Sequence, residues 1–321
     1  MTTYSPGWAK QRGMAIISAL LITAVVAVIA AGMLTRQGVF TRSLEAQQSR
    51  LQSSAVLLGG LEISRQLLWD ARRQEALTRR GQAWAQPIQS PVSGASFEGR
   101  LEDQQGKFNL RNLIGNERVN AAQLRSFEQL CAMLGITASV AQRISQRVIA
   151  AYPRQEHPHS VQQSRFDSGR ATSPNAAAKP IAATRPMLRS LDDLRGIEGV
   201  NERVLALLAQ HVTVIPVTTW VNGNTASAEV LAAVVPGLSL TTAQALVAER
   251  DRGQWFINRG DFLNRLRSPQ LTVDELNVGI SSEWFVLHAN TRRDQRRVSL
   301  EALLYRSEGE RPRVIWSRLG V

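Results

Sequence analysis

The 21 residues from Met14 to Leu34 carry no charge, and this run constrains the chain more than any other feature. As a helix it extends about 31 Å at ~1.5 Å per residue, enough to cross the hydrocarbon core of a bilayer. The apolar region of a cleaved secretory signal is normally shorter. Ala30 and Gly32 still offer a small-x-small site, so a secretory signal stays an alternative, as does a plain uncut anchor. The following residues favour continuity. Leu44, Leu51, Ala55, Leu58, Leu61, Leu67 and Leu68 recur once or twice per turn, predicting an amphipathic helix that runs on from the membrane. Lys10 and Arg12 precede the run with no acid before it. That bias puts residues 1–13 in the cytoplasm and the rest outside; Arg36 and Arg42 weaken it without reversing it.

A chain of 321 residues suits two or three domains, and a hydrophobic content of 44% excludes wholesale disorder. The net charge of +12 is nearly all arginine, since the lysines are Lys10, Lys107 and Lys179. Such a balance is compatible with nucleic acid, an anionic membrane, an acidic protein or simply a solvated surface. The single cysteine, Cys131, excludes an intramolecular disulfide, and helical apolar spacing around it predicts a small buried hydrophobe. His157, His159, His211 and His288 have no carboxylate or cysteine cluster beside them, so no metal site is expected.

Beyond the helix, residues 96–114 read as strand, turn and strand, with Asp103 and Gly106 as turn residues. Residues 120–152 carry two helical patterns, stopped by Gly135 and capped by Thr137. Residues 153–187 read as a long loop. Two helix–turn–helix units follow, bending at Gly199 and Gly237, the first capped by Ser190 with Asp192 and Asp193 in its first turn. A further short helix is expected in FINRGDFLNRL. Trp284–Ala289, Val298–Arg306 and Arg313–Arg318 give three strand signals. No G-x-S-x-G, H-E-x-x-H, Walker loop or C-x-x-C is present, so an enzyme is not expected.

Glycine-bent hairpins on a basic chain also suit a membrane-anchored, competence-type DNA-binding protein that grips phosphates with backbone N–H groups. Glu198 and Glu202 flank the first bend, and the second has no basic residue in PGLSLTTAQ. Phosphate binding would want the opposite charge there, so packing is the preferred reading and a nucleic-acid partner is not expected.

The basic leader ending in Gly13 before the apolar helix resembles the class III signal of type IV pilins and type II secretion pseudopilins. The resemblance implies cleavage by a prepilin peptidase between Gly13 and Met14, with N-methylation of Met14. Most members of that class carry Glu at the fifth mature position, where this chain has Ser18. Lack of that Glu is characteristic of the minor pseudopilin K branch. A carboxylate in a helix bundle is costly unless paired, and a tip subunit has no subunit above to pair it. Ser18 can return its hydroxyl to its own helix. Phe108, Asn109 and Leu110 match the branch's FNLN, with the second Asn displaced to Asn112. Asn222, Asn224, Thr225 and Ala226 match its N-x-N-T-A stretch. Some members bind calcium, but Glu156 and Asp167 are the only acids in the loop, so that site is not carried over.

The resemblance implies an α+β fold, a pilin-like long N-terminal helix packed on an antiparallel sheet, with a large all-α insert containing helical hairpins. The expected division is 1–13 leader, 14–34 transmembrane and assembly helix, 35–115 pilin-like part, 116–282 helical insert and 283–321 closing strands. It also implies a tip role in the type II secretion pseudopilus, initiating its assembly and promoting export of folded exoproteins across the outer membrane. The implied partners are minor pseudopilins of the I and J types and as a further candidate the H type, the major pseudopilin, the prepilin peptidase and the inner-membrane assembly platform. No cofactor is implied. The implied location is the bacterial inner membrane, single-pass, with the C-terminal domain in the periplasm.

Overall fold

The computed structural model describes residues 11–92, 95–156, 179–268, 270–273, 276–293 and 296–320. The first ten residues of the expected leader, and His157, His159 and Asp167 of the expected loop, lie outside the described residues. One helix, α1 (Gln11–Gln74), joins the apolar run to the amphipathic stretch without a break over 64 residues. At ~1.5 Å per residue it is about 96 Å long. Arg72 and Arg73 in its last turn complement the helix dipole.

The inward face of α1 is only partly the one expected: Leu61 and Leu68 are interior, but the face continues through residues outside the expected stripe. Ser53, Leu57, Leu61, Ser64, Leu68 and Ala71 are buried, at intervals of three or four. Leu44, Leu51 and Leu58 are exposed. Two apolar stripes share the helix, and only one of them meets the sheet. Phe97 reaches the helix where Gly60 leaves room, and a Cβ on Gly60 would overlap its ring.

The sheet comprises β1 (Ile88–Val92), β2 (Ala95–Asp103), β11 (Trp284–Arg293), β12 (Arg296–Tyr305) and β13 (Arg313–Gly320), in the order β1-β2-β11-β12-β13, all neighbours antiparallel. Its three C-terminal strands are those expected. β1 was not expected; Pro91 cannot donate to a ladder, and an edge strand is where a sheet tolerates it. Leu57, Leu61 and Leu68 meet Phe97, Leu101, Phe285, Leu287, Leu300 and Leu304 in one core.

The described residues between β2 and β11 form a second body, and the two strands are direct neighbours with Asp103 opposite Phe285. The intervening chain therefore leaves and re-enters the sheet at one seam. It contains β3 (Phe108–Asn109), β4 (Ile114–Gly115), β5 (Arg118–Val119), α2 (Ala121–Met133), α3 (Ala138–Ile149), β6 (Arg154–Glu156), β7 (Lys179–Ile181), α4 (Glu202–His211), β8 (Val212–Thr213), β9 (Val221–Asn222), α5 (Ala228–Val234), α6 (Leu240–Asp251), α7 (Arg259–Leu266) and β10 (Val278–Gly279). The second strand read within residues 96–114 does not join the main sheet. β3 pairs in parallel with β8, and Phe108 packs on Phe127 inside the helical core. The ends of the expected loop are also more ordered than expected, since β6 and β7 pair antiparallel.

The glycine stops form as expected: Gly135, Gly199 and Gly237 adopt φ of 71°, 87° and 75°, a region costly for residues with a Cβ. Two expected caps differ. Neither Thr137 nor Ser190 makes a side-chain cap bond, and the expected helix after Ser190 is a single 3₁₀ turn, Leu191–Leu194. Asp193 instead accepts from Arg189 N at 2.7 Å, which together with the charge of Arg189 holds its carboxyl below the ordinary value.

Candidate assembly site

From Met14 to Leu44 every residue of α1 is exposed among the described residues. Met14 is 71% exposed, and Ile17, Leu21, Val28 and Leu34 are comparably open. An apolar surface of this extent demands a hydrocarbon or protein environment. The hydroxyls along it are already closed. Ser18 Oγ donates to Met14 O at 2.8 Å, Thr23 Oγ1 to Ala19 O at 2.9 Å and Thr35 Oγ1 to Ala31 O at 2.9 Å. Hydroxyls returned to their own helix leave no bare donor for an apolar medium to penalise. Gly13 and Met14 lie in adjacent positions of the first turns of α1, and Ser18 one turn on. Apolar exposure continues along α1 through Val39, Phe40, Leu44, Leu51 and Leu58.

At the other end of α1 a buried polar junction fixes the helical body to the sheet. Asp103 accepts from Ser282 Oγ at 2.6 Å, Thr225 Oγ1 at 2.5 Å, Asn222 Nδ2 at 3.1 Å and Gln105 N at 2.8 Å. Burial pushes its carboxyl up from the ordinary value, and these four donors oppose that. Asn222 Nδ2 also reaches Thr78 O at 3.1 Å. Arg306 donates to Thr78 Oγ1 and to Ser282 O, each at 2.7 Å, and its guanidinium lies over Phe285. Desolvation lowers Arg306 to about 10. Asp103, read from sequence as a turn residue, is thus the hub of the seam. Asn222 and Thr225 are buried in it, while Asn224 bonds both Phe256 N and Phe256 O and Ala226 packs in the helical core, so that stretch joins the seam to the interior of the helical body.

The outer face of the sheet carries a charged group around Glu102. Lys107 Nζ lies 3.0 Å and His288 Nε2 3.6 Å from Glu102 Oε2. Burial raises this carboxyl, but the bonds from His288, Lys107 and Gln104 and the charge of Lys107 win and hold it at about 2. Cys131 is buried as expected, and desolvation followed by the charge of Glu128 pushes its thiol up to about 12. Among the described residues no three His, Cys, Asp or Glu side chains group as a metal site would require. At the first glycine bend a Cβ on Gly199 would come within 2.5 Å of Val140 Cγ2, so this turn packs on α3. The nearby Arg195 is paired with Asp192 and Glu202. Both features suit packing and leave little for a phosphate.

Models of a family described as type II secretion system protein K match residues 106–217 and 221–281, together more than half of the chain. The type II secretion system protein K of Pseudomonas aeruginosa is 27% identical over 97% of this chain and 93% of its own length. That of Pectobacterium carotovorum subsp. carotovorum is 27% identical over 97% of both. Among solved structures, a chain of the GspK-GspI-GspJ complex from the enterotoxigenic Escherichia coli type 2 secretion system aligns with a TM-score of 0.61. That match covers 86% of this chain and 99% of the other at 19% identity, a likeness of fold.

Proposed function

The chain belongs to the type II secretion system protein K family, a structural and non-enzymatic family of minor pseudopilins, and from that premise we propose that it is the subunit at the tip of the pseudopilus. Its leader is removed between Gly13 and Met14, Met14 is methylated, and α1 then serves first as a single-pass inner-membrane anchor and afterwards as an assembly element. The C-terminal bodies lie in the periplasm. Partners of the I and J types, the pair named with K in the related complex, join it to initiate the pseudopilus on the assembly platform, and the assembly promotes export of folded exoproteins.

The observation that carries this reading is the pairing of two ends of one helix. At the N-terminal end, Ser18 is satisfied by its own backbone, so the subunit needs no amine from a neighbour above. At the C-terminal end, Arg80 and Asn222 tie the large helical body to the segment that follows α1, where it would obstruct addition of a further subunit.

The test is the N-terminal mass of the protein from cells with and without prepilin peptidase. A methylated Met14 start, seen only with the peptidase, is the expected result. An uncut Met1, or a start near Met33, would overturn processing and with it the tip mechanism. Labelling of sheared pseudopili then tests position: label at one end is expected, and label along the whole shaft would sink the tip assignment.

A further inference from the structure

The two edges of the five-stranded sheet are not alike. The β1 edge carries Pro91, which has no N–H to offer a further strand, and Pro87 directly precedes β1. On the other side the sheet ends on β13, which has no proline inside it and no strand beyond it among the described residues. A bulge falls where Leu303 and Leu304 pair with Trp316 and Val314 and skip Ile315, and the strand bends there. From Trp316 to Gly320 the pairing with β12 is unbroken. These residues present an even edge of about 16 Å at ~3.3 Å per residue.

An open edge is a row of unpaired N–H and C=O groups, and an apolar one invites pairing. Leu319 is 55%, Ile315 45% and Val314 37% exposed. Leu319 and Val314 lie opposite Leu300 and Leu304, which are buried in the core beneath α1. They therefore stand on the α1 side of the sheet, one strand beyond the cover that α1 provides. A further strand paired to β13 would set its own side chains beside them.

What covers a strand edge is another strand, because extended backbone matches its hydrogen-bonding period. The charges decide whose strand it is. β13 carries Arg313 and Arg318 and no acid. Arg318 is exposed, lies over the Trp316 ring and makes no ion pair among the described residues; its cross-strand neighbour Glu301 is instead 3.9 Å from His288 Nδ1. Two copies joined edge to edge would set arginine against arginine with no carboxylate on either strand, and like charges across a ladder are unfavourable. Self-pairing is thus opposed and a strand bearing carboxylates is welcomed. Trp316 and Arg318 alternate with Ser317 and Leu319 across the two faces. Acids on the partner belong beside the first pair and apolar residues beside the second.

We propose that β13 is a docking edge for an extended segment of another protein in which acidic and apolar residues alternate, added as a sixth strand of the sheet.

The test is titration of the full chain, in a zwitterionic detergent, into a fluorescein-labelled heptapeptide of alternating valine and glutamate, followed by anisotropy. Saturable binding below about 1 mM is expected. Hydrogen exchange should slow over residues 313–320 and nowhere else. A peptide with lysine in place of glutamate, and the acidic peptide with every amide N-methylated, should each bind at least about tenfold more weakly. Arg318→Glu should reverse the order of the acidic and basic peptides. Arg318→Gln should abolish the preference, and it decides the matter if Arg318→Glu fails to fold. No saturable binding, equal binding of the N-methylated peptide, an unchanged preference in these variants, or slowed exchange elsewhere would each overturn the proposal. A concentration-dependent dimer protected over residues 313–320 without peptide would assign the edge to a second copy and equally overturn it.

Discussion

Ser282 Oγ donates to Asp103 Oδ2 at 2.6 Å, closing a contact between residues 179 positions apart. The hydroxyl and the carboxylate stand on the two passages by which the chain leaves and re-enters the sheet. Asp103→Ala would strand the hydroxyls of Ser282 and Thr225 without their acceptor in a dry interior, while Asn222 keeps Thr78 O. A loss of about 3 kcal/mol or more is expected by urea unfolding of the full chain. Asp103→Asn retains one acceptor and should cost less.

Glu102 and Asp103 are neighbours with opposite pH dependence. Glu102 is held at about 2 against an ordinary 4.5, so its contribution is complete above 4.5 and is lost as pH falls toward about 2. Asp103 is pushed above its ordinary 3.8, so its contribution is complete below 3.8 and is lost as pH rises through the folded value. Glu102→Gln should therefore flatten the acid limb of a stability–pH profile, whereas Asp103→Asn should leave that limb at least as steep. Melting temperatures measured at intervals from neutral to acid pH check both signs.

Gly60 and Gly99 flank the Phe97 ring, and a Cβ at either would crowd it. Gly60→Ala improves helix propensity by about 1 kcal/mol, but overpacking should outweigh this and give a net loss of about 1–3 kcal/mol. Adding Phe97→Leu to that variant should recover part of the loss, an interaction that a double-mutant cycle by urea unfolding measures directly.

The two stripes of α1 should separate stability from assembly. Leu68 is fully buried against the sheet, so Leu68→Ala should cost about 2–5 kcal/mol. Leu58 is exposed, so Leu58→Ser should change stability by less than about 0.5 kcal/mol. The same Leu58→Ser variant should reduce recovery of pseudopilus complexes by co-purification, while Leu68→Ala should act only through loss of folded protein.

Much of this architecture was legible in the residues. A charge-free run in a bilayer satisfies its backbone as a helix, so Met14–Leu34 was readable directly, and apolar spacing carried the helix on from there. The three C-terminal strands announced themselves by alternation, and the glycine stops by the φ only glycine adopts readily. Other features were not legible. Leu51 and Leu57 look alike in sequence, and only the position of the sheet decides which is interior. Phe108 reads as a strand residue in any setting; its partner, Val212, lies more than a hundred positions away, and that distant pairing drew it from the sheet into the helical core. Asp103 does serve its turn, accepting from Gln105 N, but the donors from Ser282, Thr225 and Asn222 that make it a hub come from distant passages.

Local physics thus determined which segments form helix, strand and bend, and which segment requires an apolar surrounding, because those properties depend on neighbours along the chain. The tertiary structure decided which face of α1 is core and which stays exposed. It also made Asp103 a hub, and it left β13 at the open edge of the sheet. These outcomes depend on groups that meet only when distant passages of chain are packed at a common seam, and no local pattern encodes that meeting.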